Sequence, residues 1–415
     1  MKIESKRGPL CRFCGTPLEH DFVDLGMSPL CESFLTEDQL NRGETFYPLH
    51  VRVCHACKLV QLEEYVTPDV IFDDYAYFSS YSDSWLKHAE RYCAMATERF
   101  GLDENSLVVE VASNDGYLLR NFVRDGVPCL GIEPSGNVAE AAIEAGVDTR
   151  VRFFGCETAS SLVDEGKRAS LIVGNNVLAH VPDINDFVGG LKILLREDGV
   201  VTMEFPHLAR LIDENQFDTI YHEHYSYLSF LTTRAVFEHH GLEMFDVEEL
   251  PSHGGSLRIL AQHAGGPRPI TNAVEALCST ERGLAFDEIE GYLGFTPRVE
   301  KTKRDLLRFL IGAREEGLRV AAYGAPGKGN TLLNYCGIRS DLVEYAVDRN
   351  PYKHGRFTPG THIPIHPPEY LDEDKPDYIL ILPWNLTKEI TAQLAHAREW
   401  GARFVVPIPD VRVID

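Results

Sequence analysis

The chain has 415 residues, a formal net charge of −23, 44% hydrophobic and 25% charged residues, and ten cysteines. That length suits two or three domains, each able to bury its own core, and the composition is that of a globular enzyme, not of a disordered or fibrous protein. No apolar run reaches the ~18–20 residues needed to span a bilayer, the opening MKIESKRG lacks a signal-peptide core, and the negative field repels polyphosphate backbones, so no membrane or nucleic-acid partner is expected and the cytoplasm is the expected location.

The first readable elements are two CxxC knuckles, Cys11-Arg-Phe-Cys14 and Cys54-His-Ala-Cys57. Their paired spacing matches a tetrahedral four-thiolate Zn2+ site. Such a site is closed, so its expected role is structural: it holds folded a segment of ~60 residues that lacks a core of its own. Cys31 and His50 lie between the knuckles without a partner at knuckle spacing. Residues 1–72 are therefore expected to form a zinc-binding module.

From Leu107 the pattern becomes alternating strands and helices. Leu107–Val111 predicts a buried strand, 112–116 a tight loop, and Tyr117–Arg124 a helix. Further strands are expected at 129–132, ending at Glu133, then at 169–173 and 199–205. The same grammar returns at 319–323, 342–347, 378–382 and 404–406, with a charged helical connector over 273–314. The expected fold class is α/β, with two Rossmann-like, doubly wound parallel-sheet domains at 73–272 and 273–415 behind the zinc module.

A strand, a glycine-bearing loop and an acidic residue ending the next strand hold adenosine-bearing cofactors at the carboxyl ends of parallel strands. This occurs twice. In Glu110-Val-Ala-Ser113-Asn114-Asp-Gly116 there is one glycine where a pyrophosphate cradle has three. A loop richer in side chains suits S-adenosyl-L-methionine, which has no pyrophosphate, and Glu133 then takes the ribose hydroxyls. Asn175 and Tyr81 are further cofactor-binding candidates. The second copy has Gly324, Gly327 and Gly329 followed by Asp348, and its amides with Lys328 suit a diphosphate; a degenerate copy that only packs is the alternative reading.

Tyr221-His222-Glu223-His224-Tyr225 concentrates titratable groups, as general acid–base catalysis requires. Ser252-His253-Gly-Gly-Ser256-Leu-Arg258 combines a flexible turn, a base and a cation, which suits either ligand contact or a polar hairpin.

The four-cysteine module, Tyr75-x-Tyr77-Phe-Ser-Ser-Tyr81-Ser82, Glu-Val-Ala-Ser-Asn-Asp-Gly, Tyr-His-Glu-His-Tyr, His-Gly-Gly-Ser-Leu-Arg and the C-terminal pseudo-repeat occur in this order across nearly the whole chain. In them the sequence resembles the class I S-adenosylmethionine-dependent C-methyltransferases that act on nucleotide-linked keto-deoxysugars. The resemblance implies S-adenosylmethionine on the middle domain and a thymidine diphosphate sugar reaching in from the C-terminal side. It implies Tyr75, Tyr221, Glu223 and His224 as the active-site set, with Asn176, His180 and Lys328 as diphosphate or cofactor contacts. A carbon nucleophile needs an adjacent carbonyl, so the expected substrate is a 4-keto sugar methylated at C3, or else at C5. His224 is the expected base. The enzyme is expected to be a monomer. Three alternatives remain at this point: O- or N-methylation of a small molecule, an NAD-linked sugar oxidoreductase using Gly324 to Asp348, and a zinc-knuckle binding protein.

Overall fold

The structure is a computed structural model that describes residues 8–68 and 78–414; Tyr75 lies outside the described residues. Two compact units do not follow chain order. The first comprises Met1–His20, Val53–His207 and Glu223–Gly291; the second comprises Asp21–Arg52, Leu208–His222 and Tyr292–Asp415. Both cysteine knuckles therefore fall in the first unit, while most of the chain between them falls in the second. No helix among the described residues is long and apolar enough to cross a membrane.

β1 (His20–Ser28) and β2 (Tyr47–Val53) are neighbouring strands; most of each lies in the second unit. β3 (Val60–Leu62) opens the first unit's run after the second knuckle. α1 (Asp83–Phe100) starts where the Ser82 hydroxyl accepts the Trp85 amide at 3.3 Å and stops at Gly101, whose φ of 62° suits a residue without a Cβ. β4 (Val108–Val111), α2 (Leu119–Arg124), β5 (Cys129–Glu133), α3 (Gly136–Glu144), β6 (Thr149–Val151), α4 (Cys156–Asp164), β7 (Ala169–Asn175), α5 (Ile184–Leu194) and β8 (Leu195–Pro206) then alternate. After α6 (Leu208–Asp213), part of the second unit, the first resumes with β9 (Ser226–Tyr227), α7 (Phe230–His239), β10 (Leu242–Leu250), β11 (Ser256–His263) and α8 (Asn272–Gly283).

The large sheet of the first unit has the order β10-β11-β8-β7-β4-β5-β6. It is parallel from β8 to β6, with β11 and β10 antiparallel at one edge. Strand order reverses between β4 and β7, the place where doubly wound sheets open a ligand crevice at their carboxyl ends. β4 is buried along its whole length because helices cover both faces, which explains why Leu107–Val111 reads as a continuous run and not as an alternation.

The second unit continues with α9 (Thr296–Glu315), β12 (Val320–Tyr323), α10 (Gly327–Cys336), β13 (Ala346–Val347), β14 (Ile365–His366), α11 (Tyr370–Asp374), β15 (Tyr378–Ile381), α12 (Thr387–Gln393), β16 (Arg403–Val406) and β17 (Arg412–Ile414). Its sheet has the order β14-β13-β12-β15-β16-β17, parallel except for β17. Both units are thus Rossmann-like. The strand expected over 342–347 is shorter: Leu342 and Val343 both donate their amides back to the Arg339 carbonyl, forming a turn, and only Ala346 and Val347 join the sheet.

Candidate active site and zinc centre

The Sγ atoms of Cys11, Cys14, Cys54 and Cys57 all lie within 4.8 Å of one another. Cys11 and Cys57 approach to 3.5 Å, as do Cys14 and Cys54. Without a cation, four thiols this close cannot all ionise: hydrogen bonds from Cys54 and Cys57 hold Cys11 far below the usual thiol range, and Cys54 is pushed up to about 11, first by its hydrogen bond to Cys11. A divalent cation removes that conflict by holding all four as thiolates, so the donor set fits zinc. Gln61 donates to Cys11 Sγ at 3.2 Å and orients it.

The loop after β4 turns through positive φ at Ala112, Asn114 and Gly116 (56°, 49° and 72°). At Gly116 a side chain is excluded twice over, because its Cβ would lie 2.9 Å from Val147 Cγ2. The Glu133 carboxylate accepts the Asn114 amide with one oxygen and the Ser135 amide with the other, both at 2.9 Å, so it shapes the loop as well as facing it. Burial raises the Glu133 carboxyl above its ordinary range. Ser79 donates its amide to Asn114 Oδ1 at 2.9 Å and Ser80 donates to Asp115 Oδ2 at 3.0 Å, tying the segment that carries the exposed Tyr81 to this loop.

Glu110 and Ser113 are sealed from solvent, and Ser113 packs beneath the loop, its Oγ 2.5 Å from where a Cβ on Gly131 would stand. Burial drives the Glu110 carboxyl well above the carboxylate range, against the hydrogen bond of Tyr117. Asn175, at the carboxyl end of β7, donates to the Tyr117 hydroxyl at 3.3 Å. Among the described residues, Asp115 Oδ1 and Asn176 Oδ1 are buried acceptors without a hydrogen-bond partner. Each such atom costs about 1–3 kcal/mol unless a ligand donor meets it. A ligand rich in donors, with an ammonium group and ribose hydroxyls, fits this rim.

His180 and His224 meet edge to face, ring centroids 4.6 Å apart and planes at 79°. Burial, then the neighbouring His224, keeps His180 well below the ordinary histidine range, so it stays neutral. The Tyr225 amide donates to the Ala179 carbonyl at 2.8 Å and fixes the two segments side by side. Glu223 and His224 are buried in the first unit. Tyr221 belongs to the second, where the Thr331 hydroxyl of α10 donates to the preceding Ile220 carbonyl at 3.1 Å.

Arg258 is not placed to greet a ligand. It is buried, donates to Glu204 Oε2 at 2.8 Å and to Glu248 Oε2 at 3.0 Å, and lies over the Tyr92 ring. The Ser252–Gly254 turn joins β10 to β11 and holds His253 at φ 54°, edge-on to Trp85 at 5.0 Å. His88 stacks on that same indole at 4.8 Å and bonds Glu204 Oε2 at 2.8 Å. Sequence reasoning missed His88 and Trp85; their three-residue spacing on a helix was the available signal.

In the second unit internal side chains hold the expected diphosphate loop. Asp348 accepts the Ala325 amide at 2.7 Å and the Asn350 amide at 2.8 Å. The Glu32 carboxylate lies beside Gly327 at the start of α10, its Oε1 3.2 Å from where a Cβ on Gly327 would stand, and pairs with Lys353 at 3.5 Å, whose ammonium also donates to the Ala325 carbonyl at 2.8 Å. Internal carboxylates thus hold or crowd this loop: Asp348 takes its Ala325 amide and Glu32 stands beside Gly327. Lys328 points elsewhere, donating to Asn385 Oδ1 at 2.6 Å and lying 4.5 Å from the centroid of the Trp384 ring. Burial lowers its ammonium to about 8, against the opposing charge of Asp218.

Three family models match successive parts of the chain: a zinc binding domain over residues 11–72, a methyltransferase domain over 85–247 and a C-methyltransferase C-terminal domain over 251–409. The C-methyltransferase NovU of Streptomyces niveus is 37% identical over 404 residues, covering 97% of this chain and 96% of that protein. A ubiquinone biosynthesis O-methyltransferase of Rhodopseudomonas palustris is 27% identical over 97 residues, 23% of this chain and 38% of that one. Among solved structures, an S-adenosylmethionine-dependent methyltransferase from Anabaena variabilis shares 17% identity with a TM-score of 0.37, over 49% of this chain and 99% of that chain. Magnesium protoporphyrin IX methyltransferase from Synechocystis shares 12% with a TM-score of 0.35, over 43% and 83%.

Proposed function

The chain belongs to the C-methyltransferase family, and from that footing we propose that its acceptor is a thymidine diphosphate-linked 4-keto-deoxysugar, methylated at C3. It is an S-adenosylmethionine-dependent enzyme with a zinc-binding module. The observation that carries the finer reading is the His180–His224 pair: a buried, neutral imidazole against a second one supplies a proton acceptor in the unit that carries the cofactor loop.

S-adenosylmethionine supplies an electrophilic methyl group. His224 takes the proton from the carbon next to the sugar carbonyl, and the electron pair moves onto that oxygen as an enolate. Tyr221 donates to the enolate oxygen, a task open to Tyr75 as well, and Glu223 orients the donor. Transfer of the methyl group would break its bond to the sulfonium sulfur and release neutral S-adenosylhomocysteine while the carbonyl returns, and the proton leaves His224 for solvent. Asn114, Glu133 and Asn175 hold the cofactor, and Asn176 and His253 line the acceptor side. We place the reaction in the cytoplasm.

The test is incubation with S-adenosylmethionine and a panel of 4-keto thymidine diphosphate sugars, followed by mass spectrometry and NMR. Gain of one methyl on C3 supports the reading. Methyl on oxygen or nitrogen supports the small-molecule O- or N-methylation that needs a base but no enolate, and methyl on C5 moves the site of attack.

A further inference from the structure

Arg12 sits between the two cysteines of the first knuckle, yet its side chain leaves the metal site. Its guanidinium donates through Nη1 to the Pro182 carbonyl at 2.6 Å and through Nη2 to the Leu62 carbonyl, and it lies 5.4 Å from the centroid of the Tyr225 ring. Pro182 is two residues beyond His180, and Tyr225 directly follows His224. One rigid fork therefore touches both segments that carry the histidine pair.

The rest of the knuckle region repeats that connection. β3 pairs antiparallel with β9, matching Val60 to Tyr227 and Gln61 to Ser226, and the Leu62 amide donates to the Tyr225 carbonyl at 3.0 Å. Thr232, in the first turn of α7, donates its hydroxyl to the Cys57 carbonyl at 3.2 Å. Asn185 donates to the Phe13 carbonyl at 2.9 Å, and the Arg12 amide donates to Gln61 Oε1 at 2.9 Å while Gln61 bonds Cys11 Sγ. The four cysteines thus close a frame whose outer side is the backbone around His180 and His224.

We propose that Arg12 is a positioning residue for the methyl-transfer reaction: its guanidinium carries the geometry of the zinc knuckles into the His180–His224 pair. A planar fork can hold two carbonyls at a fixed separation, which a lysine ammonium cannot. Displacing a catalytic group by about 1 Å can cost on the order of 100-fold in rate, so loss of this link reads out in turnover. The inference rests on His224 being the proton acceptor.

The test compares Arg12→Ala and Arg12→Lys with the wild type in the metal-loaded, full-length enzyme. Zinc content is measured by metal analysis, S-adenosylhomocysteine affinity by calorimetry, and titration of the His180 and His224 rings by NMR without any acceptor. The expected result is unchanged zinc and S-adenosylhomocysteine affinity, a His180 ring that titrates closer to the ordinary histidine range because its packing has loosened, and turnover reduced about 10–100-fold. The lysine variant moves the same way by less. Unchanged ring titration with turnover within about twofold of wild type overturns the proposal; so does loss of zinc in both variants, which would make Arg12 part of the metal fold. The ring titration needs no sugar substrate, so a wrong acceptor class leaves this test intact.

Discussion

Glu204 and Arg258 are register partners across β8 and β11, and their side chains meet at 2.8 Å inside the first unit. Burial alone would raise the Glu204 carboxyl; the hydrogen bond from His88, the charge of Arg258 and the Ser252 hydroxyl overcome it and hold the group at about 2, against an ordinary 4.5. A depressed carboxyl contributes stability above its unfolded pKa, here 4.5, and loses it as pH falls toward 2. The shift corresponds to about 3 kcal/mol. Glu204→Gln should therefore be less stable at pH 7 by about 2–4 kcal/mol, and should lack the wild-type loss of stability below pH 4.5. Chemical denaturation at both pH values checks this, and equal stability at pH 7 would refute it.

One zinc per chain is expected, bound by Cys11, Cys14, Cys54 and Cys57. Cys54→Ala should lose the metal and unfold more readily, because three clustered thiolates remain without their cation. Metal analysis of purified protein reads the first claim and thermal unfolding with and without a chelator the second; a metal-free wild type that is equally stable would sink both.

Glu133 holds two loop amides and faces the proposed ribose position. Glu133→Ala should weaken S-adenosylmethionine binding by about 1–3 kcal/mol, the range for lost hydrogen bonds to a charged acceptor. Calorimetry showing unchanged affinity would move the cofactor away from this loop.

The second unit makes an opposite prediction for Asp348, whose oxygens already hold the amides of Ala325 and Asn350. Asp348→Ala should leave S-adenosylmethionine affinity unchanged and lower stability instead, by about 1–3 kcal/mol. Weakened cofactor binding in this variant, or tight NADH binding by the wild type, would contradict the view that Glu32 and Asp348 hold and crowd the loop over 324–329.

The two Rossmann-like units were legible because strands such as Val108–Val111 and Tyr378–Ile381 are buried on both faces and read as unbroken apolar runs. The zinc site was legible because ligand geometry dictates cysteine spacing. The β10–β11 hairpin was read only at its turn, since Ser252 to Arg258 looks polar whether it binds a ligand or closes a sheet edge. Glu281 shows the limit most plainly. It is buried, bonds His207 at 2.7 Å and takes the amides of Phe230 and Leu231 at the start of α7. Partners that distant in sequence leave no local pattern, and the same holds for Arg12 with Pro182. The glycines of 324–329 signal close approach without saying what approaches: Pro383 meets Gly324, Cys31 meets Gly327 and Leu382 meets Gly329.

The most direct measurement is solvent deuterium exchange at the carbon to be methylated, followed by NMR with saturating 4-keto sugar nucleotide and no S-adenosylmethionine. Exchange requires proton removal but no methyl transfer. The wild type should exchange, and His224→Asn should lose exchange and turnover together by about 10²–10⁴-fold while binding S-adenosylhomocysteine with nearly unchanged affinity. Exchange that persists at the wild-type rate in His224→Asn and vanishes in Tyr221→Phe would give the proton to the tyrosine and contradict the account.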